Sequence, residues 1–127
     1  MKILVTTAGP VPAKDKAGYI VNIAKRLGAE VISLHILLDE DQAKGEEALN
    51  VFSEAGREAD INVAKILKKG DVVSTIIESA REEEVNLIIM GASQGKVVAE
   101  WVSAGVIEKT NIPVVVIPHE FRKDVGS

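Results

Sequence analysis

The stretch Leu87-Ile88-Ile89-Met90-Gly91-Ala92-Ser93-Gln94-Gly95-Lys96 decides the fold. Its four apolar residues make a run too short for a helix, and one without the polar alternation of a strand wetted on one face. It reads as a strand covered on both sides. Gly91 and Gly95 let the backbone turn, and Val98, Trp101, Val102 and Val106 then recur at helical spacing. After Pro113 a second run, Val114-Val115-Val116-Ile117, repeats the strand signal. Strand, turn, helix, strand is the unit from which parallel sheets are built.

The same alternation extends toward the N-terminus. Runs rich in Val, Ile and Leu occupy residues 3–7, 31–38 and 61–67. Between them Ala17, Ile20, Ile23, Ala24 and Leu27 form one helical stripe, and Ala48, Val51, Phe52, Ala55 and Ala59 another. Val72, Val73, Ile76, Ile77 and Ala80 form a third. Gly28 is placed to end the first helix, Asp71 to cap the third, and Pro113 to open the last strand. The expected fold is α/β: a doubly wound, Rossmann-like, five-stranded parallel sheet in the order 3-2-1-4-5, with four helices. The 127 residues suffice for a single domain spanning 1–127, which buries about two-thirds of its unfolded surface.

Composition narrows the function. With 15 basic and 19 acidic residues, a net charge of −4 and no basic block, nucleic acid and anionic membranes are not expected partners. The absence of cysteine excludes disulfides, zinc thiolate sites and thiol nucleophiles. The apolar start at residues 3–5 is too short for a signal peptide, and no run approaches the about eighteen residues of a membrane helix. A soluble, cytoplasmic protein is expected.

Ligands of open parallel sheets bind beyond the carboxyl ends of the strands where the order reverses, here between strands one and four. That directs attention to loops 8–16 and 91–96. In the second loop, Gly91, Ser93, Gly95 and Lys96 could form a phosphate cradle: glycines turn N–H groups into one concavity, the helix start adds partial positive charge, and Lys96 adds a full one. The plainer alternative is that Gly91 closes a strand and Gly95 opens a helix. A glycine pair at this spacing does not distinguish the two.

The two sheet edges differ. Strand three carries Lys65, Lys68 and Lys69, which discourage pairing with another chain, whereas strand five is wholly apolar. Cover for strand five would come from the polar tail 118–127 or from a second copy. A homodimer through Val114–Ile117 is the expectation.

At this point the sequence resembles the universal stress protein family. Lys2-Ile3-Leu4-Val5 looks like the family's opening strand, and Ile23-Ala24-Lys25-Arg26-Leu27-Gly28-Ala29-Glu30-Val31 through His35 like its first helix and second strand. Val85-Asn86-Leu87-Ile88-Ile89-Met90-Gly91 and Ile112-Pro113-Val114-Val115-Val116-Ile117 resemble its fourth and fifth strands. Members that bind ATP carry a phosphate motif of Gly, two residues, Gly, nine residues, Gly, then Ser or Thr. Gly95 and Gly105 have the nine-residue gap, which adds Gly105 to the candidate site. Gly91 and Gly95 are separated by three residues instead of two, and Val106 stands where the hydroxyl belongs. ATP-binding members also carry an Asp after strand one; the matching residue here is Ala8. Losing one such hydrogen bond typically costs about 0.5–1.5 kcal/mol. Asp15, Ser93, Gln94 and Ser103 are the residues that could compensate.

The resemblance thus implies a dimeric protein of stress adaptation that binds a small ligand, with ATP, and Mg²⁺ beside it, as the candidate. The alternative is a member that has lost ATP binding and works through protein interaction or another anion. No catalyst is expected. His35 lies inside strand two without a Ser-His-acid arrangement and reads as a structural histidine, while His119 falls in the polar tail. Two distant histidines do not make a metal site. Asp39-Glu40-Asp41 suits a helix start, Glu82-Glu83-Glu84 a solvated helix end, and Trp101 a core stripe. Adenylation chemistry lacks its His-x-Gly-His and Ser-Gly-Gly-x-Asp segments, a phosphoacceptor lacks its acidic residues, and a flavin site lacks aromatics.

Overall fold

In the computed structural model, residues 1–7, 10–37, 42–91 and 96–117 are described, and the side chains of 10–13, 15 and 96–101 are not. Strands β1 (Lys2–Thr6), β2 (Glu30–Leu37), β3 (Val63–Lys69), β4 (Leu87–Gly91) and β5 (Val114–Ile117) alternate with helices α1 (Pro10–Leu27), α2 (Gln42–Glu58), α3 (Val72–Glu82) and α4 (Lys96–Lys109). The strands form one parallel sheet in the order β3-β2-β1-β4-β5, as expected.

Successive strand residues point to opposite faces, so each central strand supplies two cores. Ile3, Val5, Val31 and Ile89 pack with Ala17, Ile20, Val21 and Ala24 of α1 and with Ala48 and Phe52 of α2. Leu4, Ile32, Leu34, Ile88 and Met90 face the other way, against Ile76 and Ala80 of α3 and Val106 of α4. Helices α1 and α2 therefore cover one face and α3 and α4 the other. This follows from right-handed crossovers that run outward from β1 in one direction and then in the other.

Three helices end in the same way. After α1 the N–H of Gly28 bonds to the Lys25 carbonyl (3.1 Å) and that of Ala29 to Ala24 (2.9 Å), with Gly28 at φ +64°. This double bond reversal satisfies the last carbonyls of a helix. The pattern recurs after α2, with Asp60 at φ 61°, and after α3, with Glu84 at φ 54°, where neither residue is glycine. Asp71 caps α3, its carboxylate accepting from the Ser74 N–H at 3.0 Å.

Some boundaries move from their expected places. Helix α1 starts at Pro10, so most of the expected first loop is helical; prolines suit a first turn, whose N–H groups have no intrahelical partners. Strand β3 starts at Val63, two residues late, because the Ile61 N–H is engaged by the Gly56 carbonyl in the α2 cap. The end of α3 is not merely solvated: Glu82 pairs with Lys68 at 3.1 Å, and the Lys68 ammonium also donates to Ser79 Oγ at 3.0 Å. Residues 39–41 and the tail with His119 lie outside the described residues, as does the Trp101 side chain. No described helix is long and apolar enough to cross a membrane.

Candidate functional site

The strand order reverses between β1 and β4, and the carboxyl ends of both strands reach the same rim of the sheet, where Thr6 pairs with Met90. The chain just beyond β1 is held from β2 on two sides. The Thr7 N–H donates to the Leu34 carbonyl at 3.0 Å, and the Thr7 carbonyl accepts from His35 Nδ1 at 2.8 Å. Because a carbonyl can only accept, Nδ1 carries the proton. The histidine ring is buried and stands close to Gly45 of α2: a β-carbon there would come within 2.7 Å of His35 Cδ2. His35 is thus a positioning residue for the rim, in keeping with its structural reading.

Gly91 ends β4, as expected. Against it lies a side chain that the sequence reading left at the end of a loop. Lys16, in the second turn of α1, is only 7% exposed. Its Cδ and Nζ stand 3.2 and 2.9 Å from the point a β-carbon on Gly91 would occupy. The aliphatic stem fills the space that glycine leaves, and the ammonium is carried to the rim at the β1/β4 crevice. A signal for this was present. Lys16 lies one turn before Ile20 and two before Ala24, on the stripe that α1 buries.

Helix α4 begins at Lys96, so its positive end lies after the glycine loop at this rim. Ser93, Gly95, Ala8 and Gln94 lie outside the described residues, as do the side chains of Lys96 and Asp15. The other members of the expected set are not brought to the loop. Gly105 is nine residues into α4, about 14 Å along its axis from Lys96. There it lets α4 approach α3: a β-carbon would meet Val73 Cγ2 at 3.0 Å. Val106 is fully buried between the same helices, and Ser103 is seven residues past the helix start. A nine-residue gap thus carries Gly105 along the helix and away from the rim. Among the described residues no group of three His, Cys, Asp or Glu side chains could hold a metal.

The family model of the Universal stress protein family matches residues 1–118. A universal stress protein of Methanocaldococcus jannaschii is 26% identical over 91% of this chain and 81% of its own length. Among solved structures, a universal stress protein in complex with cAMP superposes with a TM-score of 0.77 at 18% identity, covering 94% of this chain and 98% of its own. One from Archaeoglobus fulgidus in complex with dAMP gives 0.75 at 23%, over 92% and 97%. A family protein of Arabidopsis thaliana with AMP bound gives 0.75 at 16%, over 100% and 96%. With its sheet order, its rim and nearly its whole length accounted for, the chain belongs to the universal stress protein family.

Proposed function

We propose that this protein binds an adenine nucleotide at the β1/β4 rim and acts in stress adaptation by binding, not by chemistry. The observation that carries the reading is the convergence at one rim of Gly91, the start of α4 at Lys96 and the ammonium of Lys16. A helix N-terminus and lysine charge beside the strand-ending glycine suit a phosphate. Structural neighbours that hold cAMP, dAMP and AMP support the ligand class. ATP is the candidate, with Gly91, Ser93, Gly95 and Lys96 toward its phosphates. Any Mg²⁺ would come with those phosphates.

The working unit of the proposal is a cytoplasmic homodimer paired through β5. Val115 and Val116 are 45% and 41% exposed, on opposite faces of this edge strand. A second copy would cover both.

A second reading is favoured by Gly105 and Val106, which pack in the α3/α4 layer, and by Ala8 at the position of the family's Asp. In it the dimer has lost ATP and works through a partner or another anion. Native mass spectrometry with and without Mg-ATP separates the two. One nucleotide per chain on a mass of twice 13.6 kDa supports the first, and a bare dimer supports the second.

A further inference from the structure

We draw no further inference here: the strongest candidate, the cleft of about 360 Å³ between the end of α2 and the start of β3, carries nothing, because the unpartnered Ser53 hydroxyl in its wall is closed to solvent and the exposed Arg57, Asp60 and Asn62 side chains that remain single out no ligand.

Discussion

His35 Nδ1 and the Thr7 carbonyl, 2.8 Å apart, join the second strand to the first residue beyond the first strand. The bond lies on the face covered by α2, under a glycine whose missing side chain makes room for the ring. It fixes where the chain leaves the sheet for the rim. His35→Ala should lower stability by about 2–3 kcal/mol, through the lost packing and an unsatisfied carbonyl, as read from urea denaturation. Nitrogen-15 shifts should report the Nδ1–H tautomer; a proton on Nε2 instead would remove this bond.

Gly56 and Gly91 are both crowded, yet alanine should affect them differently. A β-carbon on Gly56 would meet Val63 Cγ2 at 2.5 Å and the Ile61 carbonyl oxygen at 2.9 Å, and backbone cannot step aside. Gly56→Ala should cost about 1–3 kcal/mol. At Gly91 the obstacle is the far end of Lys16, which can rotate away. Gly91→Ala should leave thermal stability nearly unchanged while displacing the ammonium. Similar losses of melting temperature in both variants would contradict this contrast.

Asp60 and Glu84 occupy the left-handed backbone region at the ends of α2 and α3, where glycine stands at the end of α1. Side chains there cost roughly 1 kcal/mol, part of which a glycine returns to the unfolded chain. Asp60→Gly and Glu84→Gly should each raise stability by about 0.5 kcal/mol, and the two should add, being at separate helix ends. A double variant no more stable than the parent would show the strain to be relieved elsewhere.

The Ser74 backbone N–H, followed by the Ser74 hydroxyl, holds the Asp71 carboxyl below its ordinary value of 3.8. A group whose value falls on folding stabilises the folded state when ionised. Its contribution is complete above the ordinary value and is lost as pH falls through the lowered one. Thermal melts across the acid range should therefore show a shallower loss of stability for Asp71→Asn than for the parent. Parallel curves would mean that the cap is open in solution.

On the edge strand, Val115→Lys places a charge at a 45% exposed valine. Sedimentation should then report a monomer or insoluble chain. An undisturbed dimer would put the contact elsewhere.

Much of this architecture could be read from residues alone because its causes are local. The alternation of Ile3, Leu4 and Val5 between two cores, the turn at Gly28 and the cap at Asp71 each need only a few neighbouring positions. What stayed hidden depends on distance in space. Pro10 and Pro12 read as loop residues because proline breaks helices, although the start of a helix tolerates them. Lys16 stood only as the end of the first loop, and the strand end opposite it shows where its side chain is buried. Gly105 looked like part of a phosphate motif because spacing along a chain does not say whether the chain between is coiled. Once α4 is formed, the same count of residues leads to Val73.

The unlike edges of the sheet bear on how far association can proceed. A parallel sheet open on both sides could recruit copies without limit, one strand against the next, and grow into a filament. Here Lys65 and Lys69 stand exposed on β3, and exposed apolar residues are left on β5. In the homodimer proposed above, pairing of two β5 strands would use up the receptive edge described for each copy. In such a dimer growth ends with the first encounter, and Lys65 and Lys69 protect the other edge against fibre formation.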